Sequence, residues 1–282
     1  MKKIRNYMQN INLDNYKILI FTRSMNIKLF ELSSNSITLP FKHIRMKHTG
    51  ALGYFYDMLK YDCDYAINID EDAFVFDNER LNALLKYFIS NDYVNCGFPD
   101  GGVLNVRHEN PIVTNPFFNI LNIKKIKENI DYEQIEHFDF KKFDYEKFVP
   151  KHLLTGSEYR FSYNPDPFYP FFLWLNINFK CLYLNGVTYD NNDGYTTILQ
   201  DNEGSPFLYH TWFSRFYEVN AIHTQRINNV YRLCTGKEVR EFNKFSDRIN
   251  AIIDKIGLKY SFWRYIFRKQ LKRLNLIKYI EK

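Results

Sequence analysis

The sequence predicts an α/β fold, and three observations carry that prediction. Tyr16-Lys-Ile-Leu-Ile-Phe-Thr22 is a short apolar run behind a polar leader, the mark of a buried strand. Asp64-Tyr-Ala-Ile-Asn-Ile-Asp70 is a second such run, and it ends abruptly in acids. Between them Ala51, Tyr54, Phe55, Met58 and Leu59 recur at helical spacing, so Gly50 to Tyr61 reads as an amphipathic helix.

The other elements follow in chain order. An extended stretch is expected around Ser36 to Lys47, where Pro40 marks an edge or a break. Asn78 is placed to cap a helix that presents Leu81, Leu84, Leu85 and Phe88 on one face. Tyr93 to Phe98 reads as a third strand, closed by the turn signal Pro99-Asp-Gly-Gly102. The first hundred residues thus alternate strand and helix, the pattern of a parallel sheet. Asn115 to Glu128 is expected to be helical, and the highly charged stretch Asn129 to Lys151, which lacks a clean period, to be a surface excursion or a mobile loop. Asp166-Pro-Phe-Tyr-Pro-Phe-Phe-Leu-Trp-Leu leads into a dense apolar helix or buried segment. Cys181 to Tyr189 and Thr196 to Gln200 read as strands around an Asn191-Asn-Asp-Gly194 turn. Helical patterning resumes near Val219 and continues to the end.

With 282 residues, 45% hydrophobic and 18% aromatic, the chain can bury one large core. A net charge of +6 is too small to argue for nucleic acid. It suits a nucleotide diphosphate or an anionic membrane surface. Cys63, Cys96, Cys181 and Cys234 form no CxxC pair, so neither a disulfide framework nor a zinc cluster is expected. The first fifteen residues are polar, without a signal peptide's apolar centre, and no run approaches the roughly 18 apolar residues of a membrane span. The expectation is a cytoplasmic protein, peripheral at most on the inner face of the membrane.

The chemistry is concentrated in Ile67-Asn-Ile-Asp70-Glu71-Asp72-Ala-Phe74. Acids at the carboxyl end of a buried strand lie where open α/β sheets place their ligands. Carboxylates two residues apart can aim at one hard cation such as Mg²⁺ or Mn²⁺, or one can take the metal and the other a ribose. An acidic triplet can also simply open a helix, whose N-terminus favours carboxylates. The apolar lead-in, the Tyr16–Thr22 strand and the helix between them favour the metal–nucleotide site.

On these residues the sequence resembles the GT-A glycosyltransferases, whose DxD motif is matched by Asp70-Glu71-Asp72. The run Tyr65-Ala-Ile-Asn-Ile-Asp-Glu-Asp-Ala-Phe-Val-Phe76 is similar to the family's approach to that motif, and the resemblance spans roughly residues 16 to 215 but not 129 to 151. It implies a GT-A-like, Rossmann-type mixed sheet flanked by helices, with a helical C-terminal extension, divided at 1–254 and 255–282. It implies a nucleotide-sugar donor, a UDP-sugar by first expectation with the base left open, and a glycan or lipid-linked acceptor in surface-polysaccharide assembly. Thr22 and Arg23 fall where the family holds base and ribose, and Gly50 lies in a loosely matching segment under the donor, Lys47-His-Thr-Gly50-Ala-Leu-Gly53. Phe207-Leu-Tyr-His210-Thr-Trp212-Phe-Ser-Arg215 offers His210 as a late third metal ligand and Arg215 as a diphosphate contact. The other reading of His210 is a merely hydrogen-bonded strand residue. Asp166 sits where inverting members place the base that deprotonates the acceptor, although helix capping is an equal reading. Glu158 and Asp193 are weaker candidates for that role. Asp100, Gly101, Gly102 and Arg107 fall near the implied acceptor face, where a plain turn is the favoured reading.

From Lys255 to Lys282 nine Lys and Arg residues face a single acid, Glu281, and Trp263, Phe267, Leu271, Leu274 and Ile277 form a stripe at helical spacing. This reads as an interfacial helix on anionic lipid, or else as a terminal helix docked on the domain. Two other functions fit the sequence. One is a metal-dependent nucleotidyltransferase, although that class usually shows a Gly-Ser upstream of its acids and Tyr61 to Asn68 has none. The other is a non-catalytic membrane-binding protein.

Overall fold

The computed structural model describes residues 11–47, 53–100, 110–138, 147–150, 166–189, 193–241 and 245–273. Its centre is a six-stranded sheet in the order β2-β1-β3-β6-β5-β7. These strands are β1 (Ile18–Arg23), β2 (Lys42–Met46), β3 (Tyr65–Ile69), β5 (Asn95–Pro99), β6 (Thr114–Asn122) and β7 (Cys181–Tyr183). Five of them run the same way, and β6 runs against both of its neighbours. A second, antiparallel sheet joins β4 (Ala73–Val75), β10 (Pro206–His210), β9 (Thr197–Gln200) and β8 (Gly186–Thr188) in that order. The expected α/β class and mixed, helix-flanked sheet are therefore present.

Strand alternation divides the core. On β1 and β3, Leu19, Phe21 and Ala66 face a cluster built with the helices α2 (Gly53–Met58), α4 (Ile123–Asn129) and α6 (Tyr169–Asn178). Ile18, Ile20, Tyr65, Ile67 and Ile69 face the other way, onto α3 (Asn78–Ser90) and the second sheet. Fully burying a Leu, Ile or Phe contributes about 1.5–3 kcal/mol, so the two faces of this sheet dominate the stability.

Several elements differ from the sequence expectation. Asn115 to Glu128 is not one helix, because β6 occupies Thr114–Asn122 and α4 begins only at Ile123. The strand lies between β3 and β5 and is buried throughout except at Pro116, so its polar and apolar residues alike face the interior and leave no period to read. Asp77, not Asn78, caps α3 by accepting from the Arg80 N–H, while Asn78 bonds the backbone of Ser36 and Thr38. Only Lys42–Met46 of the extended stretch is a strand, and a helix precedes it: α1 (Ile27–Ser36), capped by Asn26. The serines of α1 have a tertiary purpose, since β4 is an edge strand. Ser33 Oγ donates to the Ala73 carbonyl, and Ser36 Oγ accepts from the Val75 N–H. Within Asn129 to Lys151 a short helix, α5 (Tyr132–Glu136), seats Ile135 in the core. Of the expected Asn191–Gly194 turn, residues 191–192 lie outside the described residues. After β10 come a 3₁₀ turn (Ser214–Phe216), α7 (Ala221–Thr235) and α8 (Phe245–Arg273), and α8 runs unbroken through the expected boundary at 254/255.

His43 on β2 gives the fold an acid sensitivity. Its ring lies between the Thr22 and Ser34 hydroxyls, at 2.8 and 2.9 Å, and burial pushes its pKa down to about 4. A histidine that stays neutral when folded but charges freely when unfolded leaves stability intact above about pH 6.5. Stability is then lost as pH falls from about 6.5 towards 4, by about 3 kcal/mol in total. His43→Gln should flatten that segment of the stability–pH curve in urea titrations, and an unchanged slope would count against the assignment.

Candidate metal centre

The acids emerge where β3 leaves the large sheet, and the chain then crosses at once into the small one. β4 starts at Ala73, the residue after Asp72, and β10 ends at His210 directly opposite Ala73. Antiparallel register thus delivers His210 to the side of Asp72 across 138 residues of sequence. Asp70, Asp72 and His210 each offer a ligand atom, all within 4.8 Å of one another.

His210 Nε2 stands 3.3 Å from Asp72 Oδ1. Asp72 Oδ1 and His210 Nδ1 are buried without a hydrogen-bond partner, an arrangement that a folded protein rarely leaves unexplained. Asp72 is otherwise fixed: its Oδ2 accepts from the Ser214 N–H, and its carbonyl accepts from both the N–H and the hydroxyl of Thr211. The Asp70 N–H donates to the Phe117 carbonyl on β6. The Phe117 ring lies flat on His210, 4.1 Å between centroids, and Trp212 covers it from another side at 4.2 Å. Trp212 is itself held by its indole N–H on the Thr197 hydroxyl. Two aromatic walls therefore fix the imidazole plane.

The electrostatics suit a cation. Burial and the neighbouring Asp72 charge push the Asp70 carboxyl up to about 6, while Arg23 and His210 oppose the rise. Burial would raise Asp72 too, but the adjacent His210 holds it below the ordinary carboxylate value. A half-buried and a buried carboxylate with an imidazole, Asp72 Oδ1 and His210 Nδ1 being left unpaired, form a donor set for Mn²⁺ or a similar divalent ion. The residues present fit such an ion.

Around this core the predicted residues divide. Arg23 ends β1, its guanidinium carbon 5.7 Å from the Tyr54 ring centroid and its charge felt by Asp70. Arg215 is exposed in the 3₁₀ turn, next to the Ser214 that bonds Asp72. Thr22 is fully buried with its hydroxyl on His43. Asp166 is exposed ahead of α6; its carbonyl accepts from the Tyr169 N–H, and the N-cap position belongs to Phe168. Asp193 is committed elsewhere: it accepts from the Tyr195 and Thr196 N–H groups and forms a buried ion pair with Arg226. Gly50, Gly101, Gly102, Arg107 and Glu158 lie outside the described residues.

No protein-family model matches this chain. No curated protein matches it either.

Four residues near this cluster have contacts that the sequence did not convey. Glu71, the middle acid, bonds away from the Asp70–Asp72–His210 cluster. Its Oε2 accepts from the Met25 and Asn26 N–H groups at 3.0 Å each, tying the loop after β1 to the acidic turn. Burial and the Asp70 charge raise its carboxyl to about 8. Phe117 gave no signal, because its role depends on strand pairing. Arg226 on α7 donates to the Trp212 carbonyl at 2.9 Å and so braces the wall beside His210. Asp100, read as part of a turn, is fully buried at the end of β5, its two oxygens bonded by Asn115 and the Tyr169 hydroxyl. Asn115 also accepts from the Phe117 N–H, so this cluster reaches the strand that backs the metal centre.

Proposed function

We propose that this chain is a divalent-metal-dependent glycosyltransferase moving a sugar from a nucleotide-sugar donor to an acceptor hydroxyl. The observation that carries this reading is the Asp70–Asp72–His210 constellation at the carboxyl edge of an α/β sheet. That edge is where such sheets bind nucleotides. A bound Mn²⁺ or Mg²⁺ would supply charge neutralisation for the departing nucleoside diphosphate.

The chain's own residues do the rest. Asp70, Asp72 and His210 would hold the ion, while Phe117 and Trp212 pack against the imidazole. Glu71 keeps the loop after β1 in place beside the acids, and a donor's nucleoside would lie along that loop. Arg23 and Arg215 supply cationic groups suited to a diphosphate. Asp166, exposed ahead of α6, is the residue offered as acceptor base. A UDP-sugar is the expected donor, and a glycan or lipid-linked glycan the expected acceptor.

The test is a panel of nucleotide sugars with Mn²⁺ and glycan acceptors, read as nucleoside diphosphate released. At least one donor should turn over, EDTA should stop it, and added Mn²⁺ should restore it. Pyrophosphate formed from a nucleoside triphosphate and a sugar phosphate would instead make the protein a nucleotidyltransferase.

A further inference from the structure

The helix α8 carries an apolar stripe that starts earlier than the sequence suggested. Phe245, Ile249, Ile252, Ile253, Ile256, Tyr260, Trp263 and Phe267 are all exposed, from 40% at Ile249 to 79% at Phe245. At 3.6 residues per turn these eight positions fall within an arc of roughly 100°, along about 33 Å of helix. The opposite side of the helix is the docked one. Asp254 is buried and pairs with Arg45 at 2.6 Å, and α8 packs against α1. Asp254 lies about 150° around the helix from the middle of the stripe. The domain thus holds the helix by one face and presents the apolar face outward.

α8 is docked through the side that carries Asp254, and the eight described residues of its stripe are exposed. Leu274 and Ile277, and the side chain of Leu271, lie outside what is described. Among the described residues no helix is long and apolar enough to cross a membrane. The sequence decides between the remaining occupants. Residues 255–273 carry Lys255, Lys259, Arg264, Arg268, Lys269, Lys272 and Arg273 and no acid. A second copy of this helix would bring like charges together, whereas anionic headgroups neutralise them. Trp and Tyr in the stripe suit the headgroup level.

We propose that the Phe245–Phe267 face of α8 docks on an anionic lipid surface, with the helix lying in the plane of the interface. Arg45 is near the end of β2 and donates to Ser24 just beyond β1, so the clamp sits on the sheet edge from which the acids emerge. Lipid docking and sugar transfer are separable, and either can fail without the other.

Trp263 provides the readout, because Trp174 and Trp212 are buried while Trp263 is 67% exposed. Vesicles of phosphatidylcholine with phosphatidylglycerol should shift tryptophan emission to the blue and pellet the protein; pure phosphatidylcholine should do so weakly. High salt should release only part of it, since the apolar contribution survives screening. Ile256→Asp with Phe267→Asp keeps Trp263 and should weaken partitioning by more than about tenfold, at an unchanged melting temperature. Equal pelleting of the intact and doubly substituted proteins would overturn the proposal. So would a concentration-dependent dimer in sedimentation velocity that the same substitutions dissolve, since a second copy would then cover the stripe.

Discussion

Asp72→Asn should lower sugar transfer by about a thousandfold or more, because it removes a charge from the proposed cation site while keeping the side chain's shape. The fold should survive. An asparagine oxygen can still accept from the Ser214 N–H, and the backbone bonds to Thr211 do not depend on the carboxylate. Losing one of two mutually repelling acids also relieves Asp70. The substituted protein should therefore melt no lower than the parent without metal, yet lose the stabilisation that Mn²⁺ gives the parent. Near-normal, EDTA-resistant turnover in Asp72→Asn would remove the acids from the mechanism.

Arg226→Met should produce the largest loss of stability. The guanidinium is nine-tenths buried, paired with the equally buried Asp193, and bonded to the Thr196 hydroxyl and the Trp212 carbonyl. Breaking one side of a buried pair leaves an uncompensated charge and costs about 3–5 kcal/mol, or a fall in melting temperature of the order of 10 °C. Adding Asp193→Asn keeps the acceptor oxygen for the Tyr195 and Thr196 N–H groups and deletes the stranded charge, so the double variant should recover much of the loss. Urea unfolding of the single and double variants measures it. A single-variant loss below about 1 kcal/mol, or no recovery, would show that the pair is not what holds this corner.

The acidic motif was legible because a buried strand writes its own pattern. Ile67 and Ile69 demand a core, and the sudden Asp70-Glu-Asp72 announces the sheet edge. What the sequence could not convey was the pairing. His210 meets Asp72 only because β10 and β4 pair antiparallel with His210 opposite Ala73, and register is a tertiary fact. The strand β6 was misread for a related reason, since a run buried between two neighbours shows no period to separate strand from helix. The helix α1 hid behind Ser33, Ser34, Asn35 and Ser36, residues that usually signal a turn; here two of the hydroxyls satisfy an edge strand. Asp193 illustrates the opposite error. An acid in a loop invited a chemical role, yet its oxygens close a local turn and neutralise Arg226.

The central claim is that Asp70, Asp72 and His210 hold one divalent ion. Crystals grown with Mn²⁺ and a nucleoside diphosphate, measured at the manganese absorption edge, test it directly. A single anomalous peak is expected, bonded to a carboxylate oxygen of each of Asp70 and Asp72 and to a nitrogen of His210. A peak remote from all three side chains, or a bound nucleotide with no metal beside these acids, would contradict it.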